Sequence, residues 1–207
     1  MTPADRLIAL AEELRGIAAA GLYYGTDEYD RARYHRVRRL AAEALALTET
    51  RSADELERLF LADLTERTAL ATADAAVFDG SGRLLLTRRR DCGQWCMPGG
   101  LTDVGETPAE AAERETREET GMEVRAVALY GLYDNRRISD TPRVQTYCAV
   151  FRAEWVSGTP QVTSETCDVG WFDRAAAAEL ELFRGHRVKV PDAFDLFEGK
   201  RSGAVFH

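Results

Sequence analysis

The chain has little with which to build a zinc site or a disulfide framework. Its four cysteines are Cys92, Cys96, Cys148 and Cys167, and only the first two lie close together. Zinc sites pair cysteines more tightly and often add histidine, but His35, His186 and His207 are scattered. The thiols are therefore read as reduced and free, and no metal is assigned to them. No apolar run approaches the ~20 residues of a membrane span. Met1 to Arg6 has no charged-then-apolar run ending in small residues, so no secretory signal is read and the cytoplasm is the expected compartment. Basic charge is short as well: 27 Lys and Arg against 35 Asp and Glu give a net charge of -8. That argues against broad binding of nucleic-acid backbone, which needs cations in excess on one face. A small phosphorylated ligand, held by a metal and a few arginines, stays open. Internal repeats and low-complexity segments are absent.

At 207 residues, 45% hydrophobic and 30% charged, the chain suits a soluble globular protein with a sizeable core, as one domain or a domain with a small companion. The first part reads as helical. Leu7, Leu10, Leu14 and Ile17 recur at helical spacing, as do Tyr34, Val37, Leu40, Ala41 and Leu45, which predicts two amphipathic helices. Between them Gly21 breaks the pattern, and Leu22-Tyr23-Tyr24-Gly25 reads as a turn with exposed aromatics. A third helix begins at Ser52, whose hydroxyl caps it while Glu55 reaches back, and carries Leu56, Leu59, Phe60 and Leu64 inward. After Thr72, short apolar runs alternate with turn residues. Ala75 to Phe78 and Leu84 to Thr87, around Asp79-Gly80-Ser81-Gly82, read as a two-stranded hairpin. Further strands are expected at Val124 to Tyr133, Val144 to Trp155 and Val169 to Phe172, and helices at Arg174 to Leu182 and Asp192 to Phe197. The chain thus divides into a helical region, residues 1–70, and a mixed α/β domain, residues 71–207.

The chemistry concentrates between Gly99 and Met122. Thr107 suits an N-cap, Pro108 the first helical position, Glu110 a capping box and Gly121 a left-handed stop, which predicts a helix of about a dozen residues between them. In its last turn Glu115, Glu118 and Glu119 fall at i, i+3 and i+4, three carboxylates on one face at the end where the macrodipole is already negative. Arg114 can pair with Glu118, but one arginine cannot neutralise three acids. A hard divalent cation fits the remaining charge. The plain alternative is a solvated acidic helix face. The glycines upstream shift the balance, because they let a loop backbone approach the acids and lend a carbonyl oxygen from Gly99 or Gly100.

Gly100, Glu106, Arg114, Glu115, Glu118, Glu119 and Gly121 fall in register with the Nudix box, G-x5-E-x7-R-E-U-x-E-E-x-G-U with U aliphatic, so the segment from Gly100 to Met122 resembles the Nudix hydrolase family. Thr116 and Met122 depart from it at the two U positions, the first of which bears on helix packing. Trp95-Cys96-Met97-Pro98-Gly99-Gly100 also resembles the family's entry to the box. The resemblance covers about Thr72 to Glu181 and implies an α/β/α sandwich with a mixed sheet, here preceded by a small N-terminal helical region. It implies hydrolysis of a nucleoside diphosphate linked to another group. In that reading Glu115, Glu118, Glu119 and the Gly99 carbonyl hold Mg²⁺, with Mn²⁺ as substitute, and Arg114 positions the acids. The general base is either Glu118 or Glu165, the latter in Thr163-Ser164-Glu165-Thr166-Cys167-Asp168, where the family's later acid is expected. Glu106 is expected to brace the loop.

The stretch Ile17-Ala18-Ala19-Ala20-Gly21-Leu22-Tyr23-Tyr24, with Asp30 and Tyr34, looks like the helical region attached to Nudix hydrolases that act on CDP-choline or ADP-ribose. In such relatives it assists dimerisation and borders the substrate pocket, so a homodimer is expected, with no nucleic-acid polymer and no membrane as partner. Arg88 in Arg88-Arg89-Arg90, Arg136 beside Arg137, and Trp95 are the candidates for holding the nucleotide, by guanidinium forks on phosphate and by stacking on a base. CDP-choline, giving CMP and phosphocholine, is the first expectation and ADP-ribose the second, with dNTP cleavage a further enzyme option. A non-catalytic ligand sensor of the same fold is the reading from another class, and the intact acid cluster speaks against it.

Overall fold

The structure, a computed structural model, describes residues 2–62, 69–139 and 145–206. The chain forms two compact units, residues 1–68 with 103–105 and residues 69–102 with 106–207.

The first unit is helical. Helix α1 (Pro3–Tyr24) starts at a capping box between Thr2 and Asp5, α2 (Glu28–Ala46) starts at Asp27, and α3 (Ala53–Ala62) follows Ser52. The Ser52 hydroxyl accepts from the Glu55 N–H at 3.3 Å while the Glu55 carboxylate accepts from the Ser52 N–H at 2.8 Å, the reciprocal cap that the sequence predicts. Gly21 does not break α1, which runs on to Tyr24. A Cβ at Gly21 would meet the Tyr34 ring at 2.3 Å, so the glycine admits that ring inside a continuous helix. Tyr23 and Tyr24 are exposed, as expected. The apolar stripes are only partly inward. Ala11, Ala18, Ala41 and Ala42 are fully buried, whereas Leu10, Ile17, Leu40 and Leu59 stand about half exposed. Helix–helix approach here uses small side chains, which leaves the larger ones on the flanks. Leu56 and Phe60 are buried with Ala41 and Ala42, and Leu64 lies outside the described residues.

The second unit holds two sheets. Strands β1 (Leu70–Val77), β4 (Gly99–Leu101), β5 (Glu123–Asp134), β6 (Thr146–Ser157) and β8 (Val205–Phe206) form a mixed sheet in the order β4-β1-β6-β5-β8. Strands β2 (Leu84–Arg89), β3 (Trp95–Cys96) and β7 (Thr166–Phe172) form an antiparallel sheet in the order β3-β2-β7. Hence β1 and β2 are not the hairpin the sequence suggests. β1 pairs in parallel with β6 and antiparallel with β4, and between Val77 and Leu84 the chain passes from one sheet to the other, with one bridge at Phe78 and Leu84. The Asp79 carboxylate holds that corner by accepting from the Ser81 and Arg83 N–H groups. Short strands β3, β4 and β8, and the short helix α5 (Asn135–Ile138), have no periodicity to announce them.

Helix α4 (Pro108–Thr120) packs Ala111 and Ala112 with Ala73, Ala75, Val77 and Ala153 of the five-stranded sheet. Helix α7 (His186–Phe197) puts Val190, Ala193 and Phe194 into a second core with Ala76, Val150 and Tyr133. β2 alternates between them, Leu85 in the first and Leu84 and Leu86 in the second, which gives the helix–sheet–helix layering. Helix α6 (Arg174–Ala178) is shorter than the sequence suggests, and α7 begins six residues earlier, with Pro191 inside it. The buried Thr116 satisfies its hydroxyl on the Ala112 carbonyl at 2.7 Å, and Met122 is fully buried, so neither departure from the box disturbs packing.

Helix α4 is framed as the sequence predicts. The Thr107 hydroxyl accepts from the Glu110 N–H at 3.3 Å, and Gly121, at φ 69°, closes the C-terminus with its N–H on the Arg117 carbonyl at 2.8 Å. Thr107→Ala removes the reciprocal cap and is expected to cost about 1 kcal/mol. A urea titration checks it: the midpoint falls at unchanged m value, and an unmoved midpoint would show that the cap contributes nothing.

Candidate active site

The last turn of α4 separates its acids. Glu115 and Glu119 turn inward, Glu119 with only 8% of its surface exposed, whereas Glu118 lies outward against Arg114. Glu165, from the loop before β7, meets the inward pair, so that Glu115, Glu119 and Glu165 each offer an oxygen within 4.8 Å of the others. The sequence grouped Glu118 with Glu115 and Glu119. The structure instead brings Glu165 to that pair, and that neighbour is invisible to helical spacing.

Arg114 ties the segment together. Its guanidinium donates to both Glu106 carboxylate oxygens at 2.7 and 3.1 Å, to Glu115 at 2.9 Å, to Glu118 at 3.0 Å and to the Leu101 carbonyl at 3.0 Å. Glu106 thereby anchors the loop to the helix. Gly100 has a steric reason: a Cβ there would lie 2.4 Å from Glu115 Oε1, so only glycine lets the backbone pass the carboxylate. The Gly99 N–H donates to the Glu119 carboxylate, and the buried Thr87 hydroxyl donates to its Oε2 at 3.2 Å.

The Glu165 loop is held from two sides. The Thr163 and Thr166 hydroxyls donate to the Glu119 carbonyl at 3.4 and 3.0 Å, at the helix end. From the other side Arg90 donates to the carbonyls of Ser164, Thr163 and Thr166 at 3.1, 3.2 and 2.8 Å. Thr87, Arg90, Thr163 and Thr166 are functional neighbours that sequence reasoning missed or left undifferentiated. Their partners lie 32 to 76 residues away along the chain, and no local spacing carries that information.

The remaining candidates are engaged with their own neighbours. Arg88 donates to the Gly93 carbonyl at 2.7 Å, and Arg136 to Asp134, closest at 2.6 Å. Trp95 is half-buried with its ring edge-on to Phe172 at 4.8 Å. None of these three contacts reaches the acid cluster.

Burial and the adjacent Glu115 push the Glu119 carboxyl up to about 8, against the downward pull of Thr87 and Gly99. Glu115 is also raised, first by burial and then by Glu118 and Glu165, although Arg114 opposes the shift. Two inward carboxylates thus lack enough positive charge of their own. The donors are all hard oxygens and already converge, so the residues fit a divalent cation.

A helix with a glycine-framed entry, an Arg114–Glu106 brace and inward carboxylates, laid across a mixed sheet, defines a class. Residues 68–193 match the NUDIX domain, and the chain belongs to the Nudix family as a Nudix hydrolase. Residues 5–60 match a second description, a UDP-X-like N-terminal oligomerisation domain. A Bacillus subtilis (strain 168) protein, provisionally named an ADP-ribose pyrophosphatase, is 27% identical over 197 residues, 95% of this chain and 94% of its own. The crystal structure of a UDP-X diphosphatase shares the fold over 100% of both chains, at a TM-score of 0.64 and 22% identity. An ADP-ribose pyrophosphatase from Streptococcus suis 89-1591 shares it over 68% of this chain and 100% of its own, at 0.58 and 24%.

Glu119 makes metal-free stability pH-dependent. Its folded value of about 8 lies above the ordinary 4.5, so between those values the folded chain holds a proton the unfolded chain has lost. Stability therefore falls as pH rises through that window. Denaturation of chelator-treated protein from pH 5 to 8 checks this. The expected slope is negative and is reduced in Glu119→Gln, and equal slopes in the two proteins would contradict the assignment.

Proposed function

We propose that the protein hydrolyses the pyrophosphate bond of a nucleoside diphosphate joined to a second group, with ADP-ribose as first substrate, giving AMP and ribose 5-phosphate. The observation that carries the reaction is the convergence of Glu115, Glu119 and Glu165. What supports ADP-ribose is the relative matched along nearly the whole chain, whose name carries that substrate. On that ground CDP-choline, first from the sequence alone, becomes the second substrate to assay.

In this reading Glu115 and Glu119, with the Gly99 carbonyl, hold Mg²⁺, or Mn²⁺ in its place. The bound ion supplies charge neutralisation on the diphosphate and a more acidic water. Glu165 receives the proton of the attacking water. Its place in the cluster favours it over Glu118, which Arg114 holds outward. Arg114 fixes the orientation of Glu115, and Arg88, Arg136 and Trp95 are assigned to the nucleotide's phosphates and base. Helices α1 to α3 are assigned to a homodimer, supported by the half-exposed Leu10, Ile17, Leu40 and Leu59 and by the oligomerisation domain matched there. No helix among the described residues is long and apolar enough to cross a membrane. We assign the enzyme to the cytoplasm, where its free cysteines stay reduced.

Product analysis with ADP-ribose, with and without Mg²⁺, tests the reading. AMP and ribose 5-phosphate are expected only with metal, and Glu119→Gln is expected to abolish them with the fold intact. Normal turnover in that variant would remove the metal-site assignment. Glu165→Gln is expected to lower kcat by 10²–10⁴ with a smaller change in KM, and unchanged kcat would return the base to Glu118. Light scattering checks the assembly: a mass twice the 23.0 kDa of one chain is expected, and a monomer would contradict it.

A further inference from the structure

Behind the carboxylate cluster lies a charged layer that the chemistry above does not use. Asp74 on β1 and His186 and Lys189 on α7 expose only 5%, 7% and 6% of their surfaces. The Lys189 ammonium donates to Asp74 Oδ2 and lies 3.6 Å from Cys148 Sγ, and His186 Nε2 lies 3.7 Å from the same Asp74 oxygen. Burial would raise the Asp74 carboxyl, but Lys189 overrides it and holds it low, while burial and Lys189 push His186 down to about 3. The ring is therefore neutral. Removing two charges and an imidazole from water carries a desolvation cost that their attraction need not offset, so such a layer is weak evidence for stability alone.

What the layer touches is the strip that enters the site. His186 Nδ1 accepts from the Met97 N–H at 3.2 Å, which leaves the ring proton on Nε2, facing Asp74. The Pro98 carbonyl accepts from the Ala75 N–H at 2.9 Å. Gly99 is paired with Asp74 in the β1–β4 register and pressed against it so closely that a Cβ would lie 2.5 Å from Asp74 Oδ1. Three consecutive residues are thus gripped, and the last of them sends its N–H to Glu119.

We propose that His186, oriented by the Asp74–Lys189 ion pair, is a positioning residue: by fixing the Met97 N–H it sets Gly99 against Glu119 and so completes the cation site. The inference rests on the cation-site reading above. It acts through the backbone, so an acceptor at the Nδ1 position is what matters, and an asparagine amide oxygen can supply one.

The test is Mn²⁺ affinity by electron paramagnetic resonance, which needs no turnover, on the full chain with circular dichroism as the fold check. His186→Phe is expected to weaken Mn²⁺ binding about 10- to 100-fold, the usual effect of losing a partner behind a ligand, while His186→Asn stays within about threefold of wild type. Wild-type affinity in the phenylalanine variant, or equal loss in both, would overturn the proposal. If the phenylalanine variant does not fold, Asp74→Asn with Lys189→Met removes both charges together and leaves neither unpaired. Binding about tenfold weaker is then expected, and wild-type binding again overturns it. Glu119→Gln serves as the control. Unchanged Mn²⁺ binding there removes the cation site itself, whereas loss there with wild-type binding in the His186 variants removes only the positioning role.

Discussion

Glu115 and Glu119 repel each other at the negative end of α4, and both face inward, Glu119 buried and Glu115 half-buried, where water screens them poorly. Most of the second unit makes sense as the means of holding that unfavourable pair in place. The Thr107 cap and the Gly121 stop fix the helix, and Ala111 and Ala112 seat it on the five-stranded sheet. Arg114 ties Glu115 and Glu118 to the Glu106 loop, and Gly100 clears the way for the Glu115 carboxylate. The Thr87 hydroxyl and the Gly99 N–H both donate to the Glu119 carboxylate. Burial, and after it the repulsion between neighbouring acids, raises both carboxyl pKa values, the condition in which a cation is strongly favoured and must displace a proton to enter.

The helix and its acids were legible because they are local. Capping chemistry, a glycine stop and spacing at i, i+3 and i+4 lie within one short segment, and the box fixes their register. What was not legible arises where distant strands meet. Glu165 was named from the family resemblance and not from any local spacing; it reaches the cluster because β7 pairs with β2 and because Thr163 and Thr166 fasten their loop to the helix end. In the sequence Arg90 is one of three equivalent arginines, and only its contacts with the carbonyls of Thr163, Ser164 and Thr166 set it apart. Leu84 to Thr87 looked like the second arm of a hairpin because the Asp79 corner has hairpin chemistry, yet the two strands belong to different sheets. The helical stripes misled for a related reason: the helices of the first unit bury Ala11, Ala18, Ala41 and Ala42 and leave Leu10, Ile17, Leu40 and Leu59 about half exposed.

The arrangement also explains why a sensor role suits this chain poorly. A module that only binds has no use for carboxylates crowded at a cost to metal-free stability. A hydrolase does, because a loosely neutralised cluster of hard oxygens favours a divalent cation. Specificity is proposed to lie with other residues: if Arg88, Arg136 and Trp95 hold the nucleotide, it would have to share or replace their contacts with Gly93, Asp134 and Phe172.

The most direct measurement of the buried pair is the number of protons released when Mn²⁺ is added at pH 7, from calorimetry in two buffers of different ionisation enthalpy. With Glu119 held up to about 8, release of about one proton per ion bound is expected. Binding without proton release would contradict it, since the ion would then be entering somewhere other than the buried pair.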